Sequence, residues 1–215
     1  MNKLFDTRRW LISVSTLLLT LTGACNALLP PAAVPPQFYS LDNARTEIRP
    51  APTAAAMRPT APTLIVNPAR ATSGFNSRRI IYTREPHLLE YYAHSEWVDT
   101  PARMLAPLLV TALESSGAFR AVILTPSAAV GELRLDTEII RLQHDLGSQP
   151  SQVRFTLRAY VVDNTTRQVL ARHEFDERVS VSAETPYGSV VAANQAVRQV
   201  LGQLAIFCEK IADDL

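Results

Sequence analysis

Cysteine is scarce in this sequence, with only Cys25 and Cys208 among 215 residues. Two cysteines cannot supply the set of disulfides that stabilises a small secreted domain without a large core. Cys208 falls within an apolar pattern of helical spacing. This pattern predicts a small buried hydrophobic residue there rather than a reactive thiol.

An excess of charge of one sign is also missing. The chain has 21 Lys and Arg against 20 Asp and Glu, and its aromatic residues, 7% of the total, are not interleaved with a basic stripe. Both observations argue against a nucleic-acid-binding protein. No lysine follows a glycine-rich turn and no G-x-S-x-G motif occurs. The sequence therefore has neither a P-loop nor a nucleophile elbow.

The four histidines do not form a ligand pattern. His87 falls in a turn, and His94 and His144 fall in polar surroundings typical of loops. His173 lies on the apolar side of a predicted strand, as a core histidine with a satisfied ring or a surface residue at the strand end. None has a cysteine or a second histidine at the spacing that a zinc site needs. We expect neither a metal site nor catalysis.

A hydrophobic run of transmembrane length is absent as well. The apolar stretch at residues 10–24 is interrupted by serine and threonine, and it is shorter than the ~20 residues that span a bilayer. Lys3, Arg8 and Arg9 precede it. A basic start, a short apolar centre and small residues at the end predict a secretory signal peptide over residues 1–24.

The signal peptide ends at a cysteine. The stretch Leu21-Thr22-Gly23-Ala24-Cys25 resembles the lipobox of bacterial lipoproteins, with Thr22 where leucine is usual. Such a motif implies cleavage between Ala24 and Cys25 and acylation of the cysteine thiol, which could then not pair with Cys208. The alternative is an ordinary signal peptide in which the cysteine is accidental. A proline-rich stretch directly afterwards favours lipidation.

Residues 25–62 have the composition of a tether, because eight of the fifteen prolines lie among them. Repeated proline favours an extended chain, which would reach about 115 Å at ~3.1 Å per residue. Phe38–Asp42 interrupts this pattern with aromatic and aliphatic residues, and we expect it to dock on the domain as an edge strand. Such an edge also allows a homo-oligomer to form by strand pairing.

The remaining residues, 63–215, predict a single α+β domain. Residues 63–66 and 119–124 have strand character, and residues 78–83 and 88–92 predict a hairpin around a proline-containing turn. Thr100 as a cap, Pro101 at the first helical position and Gly117 at the end predict a helix. Pro107 predicts a kink or break within it.

Three segments of alternating polar and apolar residues follow, around a turn at residues 163–166. Alternation predicts antiparallel strands with one solvated face. The residues predicted to face inward are Leu133, Leu135, Thr137, Ile139, Val153, Phe155, Leu157, Ala159, Val161, Phe175, Val179 and Val181. Asp136 and Glu138 share the other face with Arg134, which indicates a ladder of charges rather than a catalytic pair. A helix from Ser189 to about Asp213 completes an antiparallel or mixed β-sheet with two main helices packed on one face.

Two stretches of the sequence carry a family resemblance. FYSLD at residues 38–42 and the segment at residues 77–119 resemble the ABC-type transport auxiliary lipoproteins, the family of PqiC-like intermembrane transport lipoproteins. The matching positions are Arg79, Tyr82, Tyr91, Trp97, Pro101 and Leu105.

This resemblance implies a non-catalytic periplasmic lipoprotein that works beside ABC transporter subunits and a mammalian-cell-entry (MCE) substrate-binding protein. Such systems move lipids or other hydrophobic molecules between the inner and outer membranes. Asn26 after the cysteine favours anchoring in the inner leaflet of the outer membrane. The family implies no catalytic residue and no cofactor other than the diacylglycerol and acyl groups on Cys25.

Aromatic residues are enriched at interface hot spots, so Tyr91, Tyr92 and Trp97 are candidate partner-contact residues. The alternative is that they fill the core between hairpin and helix. A second functional class also stays open. An outer-membrane assembly or envelope-structural lipoprotein that binds a β-barrel or peptidoglycan would have the same anchor and the same lack of catalytic motifs.

Overall fold

The computed structural model describes residues 35–42 and 60–214. The predicted signal peptide, Cys25 and most of the proline-rich stretch lie outside these residues. The described chain forms nine strands and two helices. In chain order they are β1 (Gln37–Tyr39), β2 (Thr63–Val66), β3 (Arg70–Ala71), β4 (Arg79–Thr83), β5 (Glu90–Trp97), α1 (Pro101–Ser116), β6 (Ala121–Leu124), β7 (Leu133–Asp145), β8 (Gln152–Asp163), β9 (Val169–Ser180) and α2 (Pro186–Asp213).

The long strand β7 organises a mixed sheet. Along one edge it pairs antiparallel with β8, which pairs antiparallel with β9. Along its other edge it pairs in parallel with β2, then β3, then β4. Beyond these, β6 lies beside β2, β5 lies beside β4, and β1 lies beside β5. The α+β class with a mixed sheet is therefore confirmed.

The first helix, α1, follows its sequence signals in part. It begins at Pro101 and ends before Gly117, whose φ of 69° is the left-handed conformation in which glycine is favoured. Thr100 occupies the N-cap position, but its side chain makes no capping hydrogen bond. The prediction of a side-chain cap there was wrong. The helix also runs through Pro107 without a break.

The second helix, α2, begins three residues before the predicted Ser189 and ends at Asp213. Thr185 sets this start, because its hydroxyl accepts a hydrogen bond from the backbone N–H of Gly188 at 3.0 Å. The helix packs on β7, β8 and β9 and against α1, and α1 packs on β6. Neither helix within residues 60–214 is long and apolar enough to cross a membrane.

The core lies between the sheet and the helices. Phe155, Leu135, Leu109 and Leu204 are among its fully buried side chains. The inward sets predicted for β7 and β8 are buried, and in β9 so are Phe175 and Val179, which confirms the predicted alternation. Cys208 is 1% exposed, and burial raises the pKa of its thiol to about 12. It is a buried hydrophobic residue, as predicted.

Candidate partner-contact surface

The three aromatic residues predicted to contact a partner all belong to β5, but the structure gives them different surroundings. Trp97 is 3% exposed and belongs to the core. Its backbone N–H donates to the carbonyl of Arg78 at 2.7 Å, and Arg78 Nε donates back to the Trp97 carbonyl at 3.2 Å. Trp97 therefore fills the core, as the alternative interpretation had it, and has no free surface to offer a partner.

Tyr92 is half-buried and packs against the core. Its ring lies 4.8 Å from the ring of Tyr82, and its hydroxyl is 2.9 Å from Nδ1 of His144. Burial raises the pKa of Tyr92, and a hydrogen bond with the Ser189 side chain opposes this rise. Its hydroxyl is engaged within the domain, which leaves only part of the ring at the surface.

Tyr91 is the residue of the three that faces solvent, with half of its side chain exposed. The guanidinium of Arg79 lies over its ring at 4.0 Å from the centroid. This distance is well within the range of a cation–π contact, which modestly stabilises the packing of the two side chains at the surface. The prediction of a partner contact therefore rests on Tyr91.

A second arginine–aromatic pair joins β1 to the residue just before β4. Phe38 of β1 is 52% exposed, and the guanidinium of Arg78 lies 5.3 Å from its ring centroid. Strand register aligns Phe38 with Glu96, and Glu96 with Arg79. Arg78 also pairs with Glu96 at 3.4 Å. We call Phe38, Arg78, Arg79 and Tyr91 the hairpin surface.

Sequence reasoning placed Phe38 on a docking strand but did not assign it to a contact surface. The reason is that the pairing of β1 with β5 is parallel and joins residues far apart in the chain. Arginine next to an aromatic residue on adjacent strands is a signal that becomes visible only with the register. The hairpin turn also carries two exposed apolar side chains, Leu88 and Leu89.

The histidines do not converge on a site. His94 is exposed, and His87 adopts a φ of 71° in the hairpin turn. His173 is an exposed residue of β9 whose ring lies 4.6 Å from Phe175. His144 is 1% exposed on β7, so the prediction of polar, loop-like surroundings for it was wrong. Within residues 35–42 and 60–214, no three His, Cys, Asp or Glu residues are grouped to hold a metal ion.

The solvated face of the sheet is a ladder of ion pairs. Arg134 pairs with Asp136 at 3.1 Å, and Arg158 contacts both Glu138 at 3.3 Å and Glu174 at 2.9 Å. Asp136 and Glu138 are thus structural partners of arginines, as predicted. Pairs of this exposure stabilise the fold only slightly.

The chain belongs to the family of ABC-type transport auxiliary lipoprotein components, whose sequence model matches residues 39–205. The match extends from the end of β1 to the last turns of α2.

Solved structures share the fold. The crystal structure of protein XCC0632 from Xanthomonas campestris is 23% identical, covers 74% of this chain and 93% of its own, and superposes with a TM-score of 0.64. An uncharacterised protein of known crystal structure is 11% identical, covers 81% of this chain and 99% of its own, and has a TM-score of 0.62. Comparison with curated proteins gives no match.

Proposed function

We propose that this chain is a non-catalytic lipoprotein that acts as the auxiliary component of an ABC/MCE-type system carrying lipids between the inner and outer membranes. The observation that supports this function most directly is the family match over residues 39–205, which includes nearly all of the described fold. The partners in this proposal are the MCE substrate-binding protein and the ABC transporter subunits. The transported molecule is a lipid or another hydrophobic compound.

The proposed anchor is the lipid on Cys25, in the inner leaflet of the outer membrane. More than one acyl chain gives stable attachment where a single chain would be marginal. Because β1 begins at Gln37, eleven residues lie between the anchor and the sheet, so twelve Cα–Cα steps join Cys25 to Gln37. At ~3.4 Å per residue they span at most about 40 Å. The proposed reach is therefore much shorter than a free tether up to residue 62 would give.

A Cys25→Ser variant tests the anchor. We expect the parent chain to fractionate with membranes and to incorporate radiolabelled palmitate, and the variant to lose the label and to stay an unprocessed precursor. Equal palmitate incorporation in the two chains would contradict the assignment of Cys25.

The hairpin surface is the proposed docking site for the MCE protein. Tyr91 and Phe38 supply exposed aromatic area, Arg78 and Arg79 supply cations already desolvated on one side by the rings, and aromatics and arginine dominate interface hot spots. A photo-crosslinking amino acid at Tyr91 tests this site in native membranes. We expect crosslinks to an MCE-domain protein, with ABC subunits recovered in the same complex.

A photo-crosslinker at Val130 serves as the control, because Val130 is 87% exposed but lies in the loop before β7. It should give no MCE crosslink. Recovery of a β-barrel or peptidoglycan fragments from position 91, without transporter subunits, would overturn the proposal and favour the envelope-structural alternative. Crosslinks between copies of this chain would assign the surface to a homo-oligomer instead.

A further inference from the structure

One arginine on the solvated face of the sheet differs from its neighbours. Among the residues that the structure describes, Arg141 has no ion pair and no hydrogen bond from its side chain, although it is only partly exposed. Other arginines on this face have carboxylate partners within 4 Å. They are Arg134, Arg154, Arg158 and Arg178.

The position of Arg141 in the sheet explains why it is left without a partner. The pairing of β7 with β8 shifts register between Ile139 and Arg141, and after this bulge Arg141 lies opposite Thr156. The hydroxyl of Thr156 donates to Asp176 at 2.6 Å. Asp176 in turn accepts two hydrogen bonds from Arg154, at 2.7 and 3.0 Å. Asp176, the carboxylate that Thr156 contacts, is therefore already occupied.

Arg141 lines a groove of about 780 Å³ between the sheet and the β4–β5 hairpin. Arg84, His87 and Arg154 also line this groove, and Phe75 and Leu89 form an apolar wall. Arg84 contacts Glu90 at 3.4 Å, with 62% of its side chain exposed. An exposed pair of this length is weak, so Arg84 can turn to a bound anion at small cost.

The groove also contains two carboxylates. Asp145 Oδ1 accepts the backbone N–H of Gly147 at 3.1 Å, and Asp145 forms no ion pair with Arg141 among the described residues. Glu85 lies in the hairpin turn at the rim. Together these acids keep the groove from being a strongly basic patch. The unoccupied fork of Arg141 is thus its distinctive feature.

We propose that this groove binds a small oxyanion, a phosphate or a carboxylate, on the guanidinium fork of Arg141, with any attached alkyl group against Phe75 and Leu89. A planar guanidinium binds such oxyanions through two parallel hydrogen bonds, and a partly buried arginine has most to gain from them. The site is independent of the transport role proposed above and does not involve the hairpin surface.

Titration calorimetry on the full chain in nonionic detergent tests this site, with inorganic phosphate and n-hexyl phosphate as probes and a protein-free detergent blank. We expect both probes to bind, and hexyl phosphate to bind about tenfold more tightly because of the apolar wall. Arg141→Gln should weaken both by about tenfold or more. Leu89→Asn should remove only the advantage of the hexyl group.

Arg134→Gln is the matched control, since Arg134 lies on the same strand and face but is paired with Asp136. It should bind both probes as the parent does. Arg141→Lys keeps the positive charge but lacks the planar fork, so we expect it to bind both probes with an affinity between those of the parent and Arg141→Gln. This variant tests the site even if Arg141→Gln folds poorly. The proposal is overturned if both probes bind the parent with a dissociation constant above about 10 mM, which is weaker than a specific site would give. It is also overturned if Arg141→Gln and Arg134→Gln bind the probes alike. Equal affinity for both probes would retain the oxyanion site and remove the apolar wall from it.

Discussion

At the scale of single residues, His144 is a buried side chain whose pKa is changed by its burial. Its side chain is 1% exposed, Nδ1 is engaged by the hydroxyl of Tyr92, and Nε2 is buried without a hydrogen-bond partner among the described residues. Burial lowers the pKa of His144 below its ordinary value of 6.5, while the charges of Glu184 and Asp145 oppose this effect. Burial in the folded protein therefore favours the neutral imidazole.

This shift predicts a loss of stability in mild acid. Well above pH 6.5 the imidazole is neutral in both states and its contribution to stability is fully present. As the pH falls from there toward the lower folded-state pKa, the unfolded chain binds a proton that the folded chain does not, and stability is lost. Between about pH 7.5 and 5.5, thermal melts should show a larger fall in Tm for the parent than for His144→Gln.

His94→Gln is the control for this experiment, because His94 lies on β5 and is exposed. Its melting temperature should depend on pH as that of the parent does. Parallel slopes for the parent and His144→Gln would show that His144 is not the titrating group. The carboxylates with lowered pKa, such as Asp176 and Glu132, lose their contribution only at more acidic pH and affect all three chains equally.

At the scale of elements, the two helices differ at their first residues in a way that can be measured. Thr185 accepts a hydrogen bond from Gly188 N at the start of α2, whereas Thr100 makes no side-chain cap on α1. Loss of a threonine cap costs about 1 kcal/mol. Thr185→Ala should lower the free energy of unfolding in urea by about that amount, and Thr100→Ala by less than about 0.5 kcal/mol. Equal losses would show that the hydroxyl of Thr185 is not what stabilises the helix start.

The strands show how far the sequence predicts the fold. Alternation identified β7, β8 and β9 and their buried faces, because a side-chain period of two is written directly in the sequence. Alternation did not predict the bulge after Ile139. The bulge inserts one residue, so beyond it the even-numbered residues of β7 face inward instead of the odd-numbered ones. Leu142 and His144 turn inward beyond it, and Arg141 faces the groove. The burial of His144 and the position of Arg141 at the groove thus both follow from this bulge.

The candidate contact surface was predictable to a smaller extent. Aromatic composition identified β5 as a strand of interest, but composition does not distinguish the exposed Tyr91 from the buried Trp97 on the same strand. Exposure depends on which neighbours cover each position. Those neighbours include Arg78 and Arg79 across the hairpin, and β1, which arrives from a distant part of the chain. Long-range pairing of this kind has no local signal in sequence.

At the scale of the whole molecule, the segment at residues 35–42 is attached to helix α2, far along the chain. Leu41 is 5% exposed in the core, and β1 pairs with β5. Asn194 of α2 accepts the backbone N–H of Asp42 at 3.1 Å and donates to the carbonyl of Ser40 at 3.1 Å. These contacts attach residues 40–42 to the last helix. If Cys25 is the lipid anchor, as proposed above, we expect a pull on it to be transmitted through them to the domain.

Asn194→Ala tests this attachment. The substitution removes both hydrogen bonds to the segment, and leaving partly buried backbone groups unpaired costs about 1–3 kcal/mol. We expect the loss to appear as a lower midpoint in urea and as faster proteolysis before β2, where the segment can be released. Gln195→Ala, at the neighbouring exposed position, should leave both readouts unchanged.

A variant that loses stability without faster cleavage would mean that Asn194 supports α2 alone. Faster cleavage with an unchanged midpoint would mean that the segment detaches as an independent unit, and the anchor would then pull on a free strand rather than on the domain.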